Sequence, residues 1–381
     1  MKIHNAVLSI VGICFLYSCS GVEKTPEQVF QIEISEKKTL DISGSGLSSQ
    51  FPFKVSPLFE NQNAFLMSHS FSRSIDTVFL DIDENPIKKG IEIPYEGPNG
   101  IESFNYFFPF ADNFLFMDNT TIYIPHNGVV NRKVLGKSLF GIEKGLSFIE
   151  NSTSPVFILS NPNLKDLYFF SDNFHTDQLS LIHYNLEKDS FSDMPFSPLK
   201  KIKRHMIQLA QPNGDKLAKV NNAFKPGLLV TDLGCIISYP FCADFQFFNF
   251  SSKKTEIFEP NSDMFKREKK EPEIIPGDMD LPKFLTISKT WSDDIEFGPF
   301  CILENNTFFR IVRGELIEGK SSKFLELFDS SFEKIQEIDL SSLETDLSFF
   351  YFPLGNRIFI KAADQPVEDL LNYYLIQIKG K

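Results

Sequence analysis

The stretch FNFSSKKTEIFE, residues 248–259, places an aromatic run ending beside Asn249, a polar turn at Ser251-Ser252, two lysines and a second apolar–polar alternation in twelve residues. Alternation with a period of two marks strands with one buried face, and a short polar break between two such runs marks a hairpin. The same design recurs in EISEKKTLDI (33–42), FLDIDENPIKKGIEI (79–93), YIPHNGVVNRKVL (123–135), HYNLEKDSFSDM (183–194) and LFDSSFEKIQEIDL (327–340). The turns fall near residues 36, 84, 127, 187, 252 and 331. Spacings of this size suit one small antiparallel sheet per repeat, as in a β-propeller, where each blade covers the faces of its neighbours and closure removes long sheet edges. The expectation is an all-β propeller of six blades, or of seven if the charged insertion hides one. The competing architecture is a pair of β-sandwiches over 29–225 and 226–381.

Other strand-like runs fill the intervals, among them FQIEIS (30–35), TVFLDI (77–82), PVFILS (155–160), LLVTDL (228–233), RIFIKA (357–362) and YYLIQI (373–378). FQIEIS and YYLIQI stand at opposite ends of the chain and are expected to share one blade, locking the ring. Helical patterning is confined to short stretches at 201–209, 215–222 and 367–372. The segment FKREKKEPEIIPGDMDLP (265–282) is too poor in apolar residues to fold alone, so an insertion is placed at about 262–282. Phe supplies 42 of 381 residues, an excess that suits the wide gaps between blade sheets.

The amino end carries an address. Lys2 precedes an apolar run from Ala6 to Tyr17. Twelve helical residues span about 18 Å, short of a hydrocarbon core of about 30 Å, so the run reads as a signal peptide over 1–18. Leu16-Tyr17-Ser18-Cys19 resembles the bacterial lipobox, which implies acylation of Cys19 and a polar tether over 19–28 leading to one propeller domain over 29–381. Acyl chains contribute about 0.8 kcal/mol per buried methylene and anchor a protein without a spanning helix. Of the five cysteines, Cys14 leaves with the signal and Cys19 carries lipid. Cys235, Cys242 and Cys301 remain, as three small core residues or with one disulfide between Cys235 and Cys242.

With 38 basic and 50 acidic residues, the formal net charge is −12. That leaves no broad basic surface to grip phosphates, so nucleic acid is excluded as the expected partner. The partners expected are a membrane, through the lipid, and a protein or small-molecule ligand. No G-x-S-x-G or G-x-G-x-x-G occurs, and no cofactor is implied. His175 and His183, near Asp172 and Asp177, lack metal-ligand spacing, and no metal site is assigned. Asp81-Ile82-Asp83-Glu84-Asn85 imitates a calcium loop, but Pro86 stands where that loop needs Gly. The basic run KKIKRH (200–205) reads as a solvated face. Asp293, Asp294 and Glu296 beside Trp291 are carboxylates with an aromatic platform, the composition of a sugar site. Arg310, Arg313 and Arg357 lie in or beside apolar strands, where guanidinium groups lining a channel would hold a carboxylate or phosphate. These three arginines and Trp291 are the candidate ligand-binding residues; no catalytic residue is assigned.

The order KTWSDDIEFGPFCILENNTFFRIVRGE (289–315), FLELFDSSFEKIQEIDL (324–340), FPLGNRIFI (352–360) resembles the DUF4221 family of lipoproteins from Bacteroidota-type bacteria. In that family a Y-D-P-Y-R…Y-Y-R segment precedes a D-x-x-F-x-K hairpin. Gly298-Pro299-Phe300 and Phe308-Phe309-Arg310 occupy the comparable places here, with Glu296 and Phe297 leading into them. GPNGI (97–101) resembles the Gly-Pro turn of six-bladed NHL-like propellers. The resemblance implies a propeller in the cell envelope, at the outer membrane, and implies no chemistry. The function expected is a membrane-anchored binding propeller. The alternative is a propeller hydrolase or lyase acting on a small exported substrate such as a glycan.

Overall fold

Five of the six recurrent turns join the third and fourth strands of an antiparallel sheet, and each belongs to a different sheet. A computed structural model describes residues 30–379, apart from 135–144, 147–165, 174–177, 211–216, 220–225 and 274–280 and shorter gaps at 44, 51–52, 58–62, 70–72, 82–85, 103, 105, 111–112, 119–120, 127–128 and 344–345. Cys19, the signal segment, the tether, His175 and most of the calcium-like loop lie outside the described residues.

The described residues open with β1 (Gln31–Ile34) and β2 (Lys38–Asp41). The first blade comprises β3 (Phe53–Pro57), β4 (Ala64–His69), β5 (Ser74–Phe79) and β6 (Ile87–Glu92). The second comprises β7 (Tyr106–Phe110), β8 (Asn113–Met117), β9 (Thr121–His126) and β10 (Val129–Val134). The third comprises β11 (Gly145–Leu146), β12 (Asp166–Asn173), β13 (Gln178–Asn185) and β14 (Ser190–Met194). A separate hairpin, β15 (Gln208–Ala210) and β16 (Leu217–Lys219), precedes the fourth blade of β17 (Gly227–Val230), β18 (Gly234–Tyr239), β19 (Cys242–Asn249) and β20 (Thr255–Phe258). Helix α1 (Leu281–Asp293) leads into the fifth blade. Its innermost strand is split into β21 (Glu296–Phe297) and β22 (Cys301–Ile302), followed by β23 (Phe308–Arg313), β24 (Lys323–Phe328) and β25 (Lys334–Asp339). The sixth blade is β26 (Leu347–Leu354), β27 (Arg357–Ala362) and β28 (Leu370–Lys379), completed by β1 and β2. Six blades form the ring.

The ring closes as expected from FQIEIS and YYLIQI: Gln31 pairs with Lys379 and Ile34 with Ile376. EISEKKTLDI, by contrast, is not a hairpin. Lys38 to Asp41 pair with Tyr373 to Leu370 of the same strand β28, so residues 35–37 interrupt one outer strand rather than turning it back. The sequence pattern is identical locally; the unpaired edge of β28 decides which partner both halves find.

Phe fills the seams. Between the sixth and first blades, Phe65 meets Phe352 and Phe359 edge-on, with centroids at 5.0 and 5.5 Å. Between the fourth and fifth, Phe245 lies 4.6 Å from Phe300 and 5.7 Å from Phe328. Continuous buried clusters join the second, third and fourth blades, and likewise the fifth, sixth and first.

Of the two readings of the cysteines, three buried core residues is the one that holds, while other local expectations are corrected. Cys235, Cys242 and Cys301 are buried free thiols. The register sets Cys235 opposite Phe248 and Cys242 opposite Tyr239, so no disulfide joins the first two. Residues 217–219 form a strand, and the segment from Val367 turns into β28, where the edge of β27 offers a full ladder. Lys200–His205 is a 3-10 helix of about two turns, and Gln208–Ala210 beyond it is strand. The one α-helix among the described residues, LPKFLTISKTWSD, was not expected: Thr286, Ile287 and Thr290 lower its propensity, and most of it faces solvent.

Candidate functional site

Antiparallel order fixes which residues share a face of the ring. The start of each blade's first strand, the end of its second, the start of its third and the end of its fourth lie together; we term this the upper face. The third-to-fourth turns lie on the lower face. Connections between blades therefore run across the upper face, including the long stretch from Glu259 to Ile295.

That stretch is tied down. The Ala243 amide donates to the Arg267 carbonyl at 2.7 Å and the Lys269 amide to the Phe241 carbonyl at 2.8 Å, laying the segment along the start of β19. Lys201 donates to Asp244 at 2.6 Å and to Glu268 at 2.9 Å, and His205 pairs with Glu268 at 2.6 Å. KKIKRH is thus partly inside, because its 3-10 helix is covered by the inserted segment. Burial pushes the His205 imidazole below its ordinary pKa, although Glu268 pulls the other way.

A cleft of about 640 Å³ opens on the upper face at the seam of the fifth and sixth blades. Glu315, Lys320 and Ser321 from the β23–β24 connection, Lys323 at the start of β24, and Asp346 and Leu347 at the start of β26 line it. Lys323 is 8% exposed, and its Nζ donates to the Ser321 Oγ at 2.8 Å and the Ser321 carbonyl at 3.1 Å. Burial, reinforced by Arg313 across the strand pair and opposed by Asp346, brings its amine down to about 8. A smaller cleft of about 540 Å³ lies on the same face beside Arg73 and Glu92. Arg73 there is occupied by backbone carbonyls, those of Ile93 and Pro94 at 3.2 and 3.1 Å among them.

The three expected arginines do not converge. Arg310 is wholly buried between the fourth and fifth blades, where its Nε donates to Glu326 Oε2 at 2.6 Å. Arg313 ends β23 on the upper face and donates to Ser292 O, Glu296 Oε2 and Asp294 O at 2.6, 2.9 and 3.1 Å. Arg357 starts β27 on the lower face and donates to Asn63 Oδ1 at 2.6 Å. Trp291 stands one residue from an Arg313 acceptor, so these two are brought together. Its ring lies 3.9 Å from Lys269 Nζ, which donates to the Trp291 carbonyl at 3.0 Å. Desolvation lowers the Lys269 amine to about 8, against the pull of Glu296.

The carboxylates near Trp291 are all engaged. Asp293 pairs with Lys289 at 2.5 Å and Glu296 with Arg313. Burial pushes Asp294 up, but Lys266 and the amides of Lys270 and Ile295 together hold it below the ordinary carboxylate range. His183 bonds Asp166 at 2.6 Å and stacks on Tyr168. Among the described residues no three His, Cys, Asp or Glu side chains converge as a metal site would require. Lys323 and Asp346 were not singled out from sequence. A lysine opening KFLELF reads as a solvated strand start, and its burial at the cleft comes from tertiary packing.

No protein-family model matches the chain, and no curated protein matches it. Solved structures similar to it include a luciferin-regenerating enzyme at 8% identity, covering 91% of this chain and 98% of that one with a TM-score of 0.40. An oligogalacturonate lyase in complex with manganese is 8% identical over 89% of this chain and 80% of that one, with a TM-score of 0.40. A Bacteroides fragilis protein described as exported is 12% identical over 91% and 95%, with a TM-score of 0.36.

Proposed function

We propose that the chain is a lipoprotein of the bacterial cell envelope, of the DUF4221 type, anchored at the outer membrane through Cys19, and that its propeller is a binding module. The ligand seat is the upper-face cleft between the fifth and sixth blades, and the ligand carries an anionic group. The observation that carries this reading is Lys323: a cation held at 8% exposure on the wall of a cleft of about 640 Å³. A desolvated ammonium gains more from an anion than an exposed one, because little water competes for it. Binding is favoured over hydrolysis because Asp293, Asp294 and Glu296 each already hold a cation.

The experiment is a thermal-shift and calorimetric screen of small carboxylates, sugar acids and phosphate esters against the purified protein. A hit should bind at least about tenfold more weakly to Lys323→Met, the loss of one charge-assisted bond of about 1.5–3 kcal/mol. It should bind nearly unchanged to an Arg73→Gln variant at the other cleft. Hits indifferent to Lys323→Met overturn the seat. Palmitate labelling that is equal in native protein and Cys19→Ser overturns the anchor.

A further inference from the structure

We infer that the anchored protein presents its lower face to the bilayer and its upper face, with the cleft, away from it. This rests on the Cys19 anchor proposed above and follows from where the described chain begins. Gln31 pairs with Lys379, the last residue of β28. β28 runs from the upper face at Leu370 to the lower face at Lys379, so β1 starts at the lower rim of the sixth blade. The preceding residue is fixed there: Phe30 is 7% exposed, within the core cluster that joins the fifth, sixth and first blades. Its amide donates to Gln336 Oε1, on β25 of the fifth blade, at 3.1 Å. Glu33 and Lys379 add an ion pair at 2.5 Å across the same end.

Chain length then selects the face. Cys19 and Phe30 are eleven residues apart, and such a length reaches at most about 36–40 Å. The ten residues of β28 rise about 33 Å. For the upper face to meet the lipid, nearly the whole reach would have to lie along the outer strand, with the acyl chains still to be inserted. From the lower rim the same residues reach the bilayer directly. Of the exposed large apolar side chains, Tyr95, Met264, Leu285, Ile317 and Val367 belong to upper-face connections, while Leu233 and Val129 lie at the lower face. The ligand seat thus opens toward the surrounding compartment.

The test uses acylated full-length protein on phosphatidylethanolamine–phosphatidylglycerol vesicles carrying a lipid-borne energy acceptor. Leu233, 70% exposed in the β17–β18 turn of the lower face, and Ile317, 67% exposed on the upper face, are replaced separately by Cys and labelled with a donor. Cys235, Cys242 and Cys301 are buried, so the introduced thiol takes the label. The Leu233→Cys donor should be quenched roughly twofold or more beyond the Ile317→Cys donor, as a separation near the strand height requires. Equal quenching, or stronger quenching at 317, overturns the orientation while leaving the anchor intact. Flotation of Cys19→Ser with the vesicles as efficiently as native protein overturns the anchor and the orientation with it.

Discussion

Arg310 and Glu326 face each other across β23 and β24, Nε to Oε2 at 2.6 Å, with neither side chain exposed. Glu326 takes a second cation, Lys334, on its other oxygen at 2.9 Å. Nη1 and Nη2 of Arg310 have no protein acceptor; the guanidinium lies 5.0 Å from the Phe300 ring centre and 5.2 Å from that of Phe297. Ring faces are electron-rich and accept a cation that is too deep for water. Glu326 therefore neutralises a site that would otherwise hold a buried cation with a half-buried one beside it. Glu326→Ala should cost about 3–5 kcal/mol in urea unfolding, whereas the double change Arg310→Met, Glu326→Met should recover most of it. A double variant no more stable than Glu326→Ala would show that packing, not charge, governs the seam.

A pH dependence follows from Lys269. Its amine is depressed to about 8 in the folded protein, against 10.5 for the ordinary side chain. Between those values the unfolded chain binds the proton and the folded one does not, so stability rises with pH over that window and the penalty is complete below about 8. Lys269→Met removes this titration. The stability of native protein relative to Lys269→Met should grow from pH 8 to pH 9.5 in matched urea titrations. A flat difference would mean the amine stays charged throughout.

Closure gives a third expectation. Without β1 and β2, the full length of β28 becomes an open edge with unpaired amides and carbonyls, a template for other chains. Removing residues 1–41 should yield a protein that self-associates on size exclusion and melts lower. Phe30→Ala, which keeps the strand, should cost about 3 kcal/mol and leave the protein monomeric by the same assay if the parent is. A truncated chain as stable and as dispersed as its parent would contradict the locking role.

What was legible in sequence divides along range of interaction. The turns near 84, 127, 187, 252 and 331 are local devices, and each proved to be the hairpin its residues describe. The turn near 36 has the same composition, but its pairing partner is more than 300 residues away. Ser35 Oγ, for instance, accepts from the Leu375 amide. Arg310 stood out as a charge inside FFRIVR; its counter-charge Glu326 is visible only once β23 and β24 are in register. The cleft was illegible for the same reason, since Lys323 and Asp346 become neighbours only when the fifth and sixth blades meet.

Gly298 interrupts the innermost strand of the fifth blade, between β21 and β22. A Cβ built there would meet Tyr351 Oη at 2.1 Å and the Ile311 carbonyl at 2.7 Å. Tyr351 comes from β26 of the next blade, and its hydroxyl donates to the Pro299 carbonyl at 2.8 Å. The glycine is there to let a neighbouring blade's hydroxyl reach the backbone, a close approach that ties the two blades at the inner wall. Gly298→Ala should cost about 1–3 kcal/mol by overpacking. In a Tyr351→Phe background the hydroxyl is gone, so the same change should cost less, although the Ile311 carbonyl still crowds the methyl. Thermal and urea unfolding of the four proteins complete the cycle. An equal cost in both backgrounds would assign the strain to Ile311 alone and remove Tyr351 from the account of this seam.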